Sequence, residues 1–293
     1  MRVMEGGAVA CPSNQCYVNK ETYWCHIIYD DFNKRLRVED YRGHLYEFIQ
    51  YIEKEAKQKL YEKIIIKARF EHVPLFIEKG FINEGWIQGY FNGSDVYFLA
   101  KYLIAGRRQS DDWCKEDEII HSIQSQTRYN DLSSLPDGFF MRKAEEKDAA
   151  ELSGLYKTVF AVYPTPLQQM DYVLHILKSG TIFYVIEKDE QIVSAASAEV
   201  NETYHNAELT DCATLPEHRK HGFMKHLIYQ LEMDLRKNGI FCAYSLARAK
   251  SFGMNAVFHQ LGYQYAGRLT NNCYIYQELE DMNVWFKNLA YEQ

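Results

Sequence analysis

Between Leu209 and Ile228 the chain runs from a half-apolar segment through a basic turn into an amphipathic helix, and few folds accommodate that passage. The apolar segment, Ala207 to Leu215, stops at Pro216, which cannot continue a sheet ladder. Arg219, Lys220 and His221 follow, then Gly222, after which Phe223, Leu227, Ile228, Leu231 and Leu235 recur at helical spacing. A strand, a basic glycine turn and a helix form the layout that grips a pyrophosphate. The first N–H groups of a helix have no partner in the chain, and the helix dipole favours an anion there. Gly222 lets the backbone approach phosphate oxygens with no Cβ in the way. The turn is too short for a Walker A loop and lacks its Gly-Lys-Ser/Thr ending, and the chain carries no G-x-G-x-x-G, so neither nucleotide-binding loop is implied.

The segment Thr214-Leu215-Pro216-Glu217-His218-Arg219-Lys220-His221-Gly222-Phe223-Met224 resembles the acyl-CoA-binding signature of the GNAT superfamily of N-acetyltransferases, V-x-P-E-x-R-G-x-G-[IL]-[AG]. The arginine and second glycine match, whereas Lys220 stands for the first glycine and Met224 for the closing small residue. A second motif follows in the right order. Ile240 to Ala247 is an apolar run of strand length, and Met254 to Tyr263 reads as a short helix ending in Gly262-Tyr263, similar to the family's helix beside the CoA arm. Upstream, Phe139 to Ala144 and the acidic helix Glu145 to Phe160 resemble the family's first strand and helix. The resemblance implies acetyl-CoA as acetyl donor, held by Ala213, Thr214, Leu215, Arg219, Lys220, His221, Gly222, Phe223, Met224, Asn255 and Phe258. The backbone at Ala213 to Leu215 would pair with the pantetheine arm as an added strand does. Many members place a tyrosine, the acid for the departing thiolate, where this chain has Phe258. A thiol with a pKa of about 8.5 leaves tolerably unassisted, so that departure does not exclude catalysis.

Composition sets outer bounds. A chain of 293 residues predicts about two domains. There is no run of 18 apolar residues and no sustained apolar stretch near Met1, so neither a membrane span nor a signal peptide is expected. Seven scattered cysteines without a C-x-x-C pair support no zinc site or disulfide framework and fit a reducing cytoplasm, with no metal expected. A net charge of −7 with no basic stripe argues against nucleic acid and suits a cationic amine.

The expected fold class is α+β (mixed α/β): a GNAT fold with a central twisted mixed sheet, preceded by a smaller α/β N-terminal domain resembling a partial GNAT. Residues 1–21 are expected to be poorly ordered. The N-terminal domain spans 22–104, with strands at Tyr23–Tyr29, Lys34–Val38 and Ile64–Ile66. Helices are expected at Gly43–Leu60 and His72–Lys79, and a hairpin at Asn92-Gly93. Residues 105–138 form a helical linker, and 139–293 the acetyltransferase domain in the order β-α-α-β-β-β-α-β-α-β-β, with Glu280–Leu289 as a closing amphipathic helix. An internal echo links the halves: Phe76, Gly80, Phe81 and Gly85 repeat the spacing of Phe258, Gly262, Tyr263 and Gly267. The N-terminal domain lacks the basic turn, so its expected role is to pack on the catalytic domain, complete the acceptor pocket or form a homodimer.

An ammonium with a pKa near 10.4 is neutral in only about one molecule in 2,500 at pH 7, so a carboxylate must take its proton. Glu208 and Asp211 are the candidates, Glu208 as base and Asp211 as amine partner, and strand alternation puts them on opposite faces unless a bulge intervenes. Tyr163, in the segment between the domain's first two helices, is the expected substrate contact. His175 and His205 are weaker alternatives for the base. The combination of Lys34–Gly43, Gly89–Gly93, Ala100–Leu103, Phe160–Pro166, Ala207–Thr214 and Gly253–Asn255 resembles the bacterial and archaeal beta-lysine N-acetyltransferases over about residues 20–290. That resemblance implies transfer to the side-chain amine of beta-lysine, giving a neutral compatible solute. Another small amine, a protein lysine, or a non-catalytic acyl-CoA sensor are the alternatives.

Overall fold

A computed structural model describes residues 14–290 apart from 129–131, 133, 162, 164, 276 and 277. The N-terminal half comprises β1 (Asn14–Asn19), β2 (Tyr23–Asp30), β3 (Arg35–Gly43), α1 (Leu45–Gln58), β4 (Lys63–Arg69), α2 (Val73–Glu78), β5 (Ile82–Phe91) and β6 (Ser94–Tyr102). After α3 (Trp113–Gln124) come β7 (Phe139–Lys143), α4 (Ala149–Val159), α5 (Met170–Lys178), β8 (Ile182–Lys188), β9 (Gln191–Asn201) and β10 (Asn206–Thr214). The chain closes with α6 (Phe223–Lys237), β11 (Cys242–Arg248), α7 (Phe252–Gln260), β12 (Gln264–Ile275) and β13 (Glu278–Asn288).

Local chemistry accounts for most of these elements. The ring of His44 accepts from the Glu47 N–H and so caps α1, which buries Phe48, Ile49, Ile52 and Ala56 on one face. Asn92 and Gly93 both take positive φ, 51° and 103°, the conformation a tight hairpin between right-twisted strands requires. The core face of α6 is the expected stripe, including Phe223, Leu227, Ile228, Leu231 and Leu235.

Among the described residues the thirteen strands belong to one sheet, in the order β1-β2-β3-β4-β6-β5-β12-β13-β11-β10-β9-β8-β7. From the middle outward the two halves read alike. β5, β6, β4, β3, β2, β1 on one side match β12, β13, β11, β10, β9, β8 on the other, and each half contains one parallel pair, β3/β4 and β10/β11. The halves meet where β5 and β12 pair antiparallel, Gly85 opposite Gly267. Those are the closing glycines of the two copies of the sequence echo. A Cβ on Gly267 would lie 2.2 Å from the carbonyl oxygen of Glu84, and one on Gly85 3.0 Å from Val284 Cγ2, so the echo marks a backbone contact that admits no side chain. A shared apolar seam of Ile65, Ile87, Phe98, Tyr244, Val284 and Phe286 covers the join.

Three expectations change. Residues 14–19 form edge strand β1 on β2; residues 1–13 and parts of the 130–138 linker lie outside the described residues. Within the linker, α3 packs Ile120 and Ile123 into the catalytic core. Glu280–Leu289 is no helix: these residues fall almost wholly within β13, between β12 and β11. Val284, Trp285 and Phe286 are consecutive and all buried, because a central strand covered on both faces loses its alternation and then resembles a helix in sequence. Asp281, buried in the same strand, is satisfied by the Asn271 N–H at 2.7 Å and Trp113 Nε1 at 3.0 Å.

Candidate active site

β10 and β11 pair only over Asn206–Glu208 and Cys242–Tyr244, then part: β10 continues to Thr214 and β11 to Arg248 without a shared ladder. A cavity of about 890 Å³ lies against the parted strands. Its wall includes Arg219, Lys220, Gly222 and Phe223 from the turn, and Arg37, Glu39 and Lys67 from the N-terminal half. Six residues of strand separate Glu208 from Thr214, roughly 20 Å at the usual rise, the length an extended arm would cross.

The turn is built for an anion. Lys220 and Gly222 both have positive φ, 74° and 75°, and Gly222 is the N-cap of α6 with no side chain to satisfy the helix. The first turn of α6 has no acidic residue, unlike α1 with Glu47. Lys220, standing where the family signature has glycine, adopts the left-handed conformation glycine would take without strain. The Leu215 N–H is spent on Val193 of β9 at 2.9 Å, so by alternation Thr214 turns its own N–H toward the gap.

A bulge settles the facing of the carboxylates. Thr210 pairs with Ser197 and Ala213 with Ala195, so Asp211 and Cys212 together oppose one residue of β9. Asp211 takes φ 51° there, and Glu208 and Asp211 both reach the cavity wall where simple alternation would have separated them. Asp211 accepts from Ser197 Oγ at 2.8 Å and from the Tyr163 hydroxyl at 3.3 Å, and its backbone carbonyl accepts from Tyr156 at 2.7 Å. Burial pushes the Asp211 carboxyl up to about 6, against the pull of those hydrogen bonds. Glu199 of β9, on the same wall, is raised to about 8 by desolvation and by the neighbouring Asp211 and Glu208. Burial also raises Glu208, and Lys67 and Arg37 draw it part of the way back.

The wall also includes Tyr163, Thr214, Met224 and Phe258. Phe258 is fully buried, edge-to-face with Tyr263 at 5.0 Å, and has no proton to give a thiolate. Four expected contacts lie elsewhere. Ala213 and Leu215 are buried toward β9, where the Ala213 carbonyl accepts from Ser194 Oγ and Leu215 donates to Val193. His221 is exposed and stacks on Phe223 at 5.2 Å. Asn255 is consumed internally: its amide donates to Arg248 and Ser251 carbonyls, and its oxygen accepts from Asn283 and Trp285. Conversely, sequence reasoning missed Arg37, Glu39, Lys67, Ser197 and Glu199. The available signal was a charged residue next to a buried apolar run, as Lys67 after Ile64–Ile66.

Among the described residues no group of histidine, cysteine and acidic side chains is placed to hold a metal, and no helix is long and apolar enough to cross a membrane. Residues 148–263 match the Acetyltransferase (GNAT) family. The chain is 42% identical to N-acetyltransferase YodP of Bacillus subtilis over 261 residues, 89% of this chain and 94% of that protein. It is 37% identical to the Beta-lysine N(6)-acetyltransferase of Methanosarcina mazei, covering 72% of this chain and 85% of the relative. With the enzyme of that same name from Methanococcus maripaludis the identity is 32%, over 88% and 93%. The parted strands, the basic turn and these relatives agree: the chain belongs to the GNAT family and is an N-acetyltransferase that uses acetyl-CoA as its donor.

Proposed function

We propose that this acetyltransferase modifies the side-chain amine of beta-lysine, giving an acetylated product whose former ammonium is neutral, as a compatible solute requires. Two relatives that bear this activity in their names support the reading, and a cavity wall with Glu208 and Asp211 suits a cationic acceptor. The observation that carries the mechanism is the bulge that turns both Glu208 and Asp211 into one cavity.

In this reading Arg219, Lys220 and the uncapped N-terminus of α6 hold the pyrophosphate, and Thr214 pairs with the pantetheine arm. Acetyl-CoA supplies a thioester carbonyl, which a gap-facing N–H of β10 polarises. Asp211 has both oxygens engaged, by Ser197 and Tyr163, and orients the incoming ammonium. Glu208 takes the proton, since its elevated affinity narrows the gap to the amine's own. With Phe258 on the wall, the thiolate departs without an acid from that position.

The test is a thiol-release assay with acetyl-CoA and beta-lysine, alpha-lysine or spermidine, with mass spectrometry of each product. Fastest turnover on beta-lysine with one acetyl on the terminal amine supports the reading. Turnover on another amine alone keeps the acetyltransferase and discards this acceptor.

A further inference from the structure

We propose that Arg37 and Lys67 of the N-terminal half, bridged by Glu39, form the acceptor's carboxylate-binding wall, so that the half lacking a donor site selects a zwitterionic diamino acid over a plain amine. This inference rests on the beta-lysine reading and adds to it the residues that recognise the amino-acid end of that substrate. All three side chains lie on the wall of the same cavity as Glu208 and Asp211. Glu39 ties the cations together: Arg37 Nη2 lies 2.8 Å from its Oε1, and Lys67 Nζ bonds its other oxygen. Lys67 also donates to the Tyr90 hydroxyl at 2.9 Å. The three charges sum to one net positive on this wall, while the catalytic half presents the carboxylates Glu208 and Asp211.

Pseudo-symmetry explains the juxtaposition. Arg37 pairs with Ile65 as the third step of the β3/β4 ladder, and Glu208 pairs with Tyr244 as the third step of β10/β11. Equivalent positions of the two halves thus bear opposite charges and share one cavity. A diamino acid has the matching polarity, a carboxylate at one end and a distant ammonium at the other. Arg37 keeps 32% of its side chain exposed, and its guanidinium has donors beyond the Nη2 that faces Glu39. If the cations served only to neutralise Glu208 and Glu199, their removal would weaken every acceptor alike.

The experiment compares beta-lysine with its carboxamide, which keeps both amines and the chain length but has no carboxylate. The full chain is assayed as wild type, Arg37→Gln and Lys67→Gln. The wild type is expected to prefer beta-lysine. Arg37→Gln should lower kcat/KM for beta-lysine about tenfold to a hundredfold, as loss of a charge-assisted contact does, and move the carboxamide by no more than about threefold. KM for acetyl-CoA stays at the wild-type value, which also reports that the variant is folded. Lys67→Gln should show the same pattern at smaller size and supplies the test if the arginine variant misfolds. Equal losses on both acceptors, or a wild type indifferent to the carboxylate, overturn the proposal while leaving beta-lysine as acceptor. Absence of wild-type turnover on beta-lysine overturns the acceptor reading and this proposal together.

Discussion

The two halves of the sheet share strand order and a single parallel pair, yet they differ at the turn where the donor site is proposed. In the catalytic half residues 215–222 stand between β10 and α6, whereas only His44 separates β3 from α1. The N-terminal turn lies tight against the neighbouring strand: a Cβ on Gly43 would meet the Thr22 carbonyl at 2.3 Å. Its helix end is already served, with the His44 ring as cap and Glu47 in the first turn, while α6 has neither. Next to β4 the N-terminal half is filled by Tyr41, which is 1% exposed, stacks on Phe48 at 5.0 Å and bonds His72 Nδ1 at 3.0 Å. The contrast teaches that the anion site belongs to the loop and the uncapped helix end, and the sheet topology alone does not confer it.

The sharpest way to break the comparison is at the equivalent positions 208 and 37. Glu208→Gln should lower kcat by about a hundredfold to ten-thousandfold, the range of a lost general base, with KM for acetyl-CoA unchanged. A larger loss in Asp211→Asn would exchange the two roles. The join itself comes next. Gly267→Ala forces a Cβ into the Glu84 carbonyl and should cost about 3 kcal/mol or more in denaturant unfolding. Gly253→Ala, a helical site in α7 with open space around it, should gain up to about 1 kcal/mol in the same assay. Comparable midpoints for the two variants would mean the halves are not joined through these glycines.

Smaller effects sharpen the contrast between the turns. Arg219→Ala should raise KM for acetyl-CoA about tenfold, as expected for loss of one charge-assisted phosphate contact. His44→Ala at the equivalent turn should leave that KM alone and cost about 1 kcal/mol of stability as a lost cap. Unchanged KM in the arginine variant would remove the pyrophosphate assignment. Glu199 gives a pH signature. Its carboxyl is raised in the folded protein by desolvation in the cavity and by the neighbouring Asp211 and Glu208, so its contribution to stability is fully present below 4.5 and is lost as pH rises through the raised folded value. Glu199→Gln stays neutral throughout, and its melting advantage over the wild type should therefore grow across that window. A difference constant with pH contradicts the shift. Least of all, Lys220→Gly should raise the melting midpoint by less than about 1 kcal/mol equivalent, since relief of the left-handed strain is partly offset by chain entropy.

Much of this was legible in the sequence. The order of elements from β7 to α7, the Asn92-Gly93 hairpin and the basic turn before α6 follow from periodicity, turn residues and helix-end chemistry. All of these act within a few residues. The echo of Gly85 and Gly267 was visible too, although nothing local says that the two glycines touch. Reading failed where a residue's role depends on what lies across from it. Asn255 stands in a motif that implied a CoA contact, but Asn283 and Trp285 claim its oxygen from another strand.

By itself the sequence marked the anion cradle, since a strand, a cationic glycine turn and an uncapped helix are local features; the reaction class followed from the resemblance of these segments to GNAT acetyltransferases. Tertiary structure alone decided which side chains face the cavity beside that turn. A one-residue slip against β9 brought Asp211 round to Glu208, and pairing at Gly85 and Gly267 joined the half that carries Arg37 and Lys67 to the half that carries the donor turn. Register and strand order are set by long-range packing, where a shift of one residue exchanges the faces of a strand, and no short window of sequence contains that information.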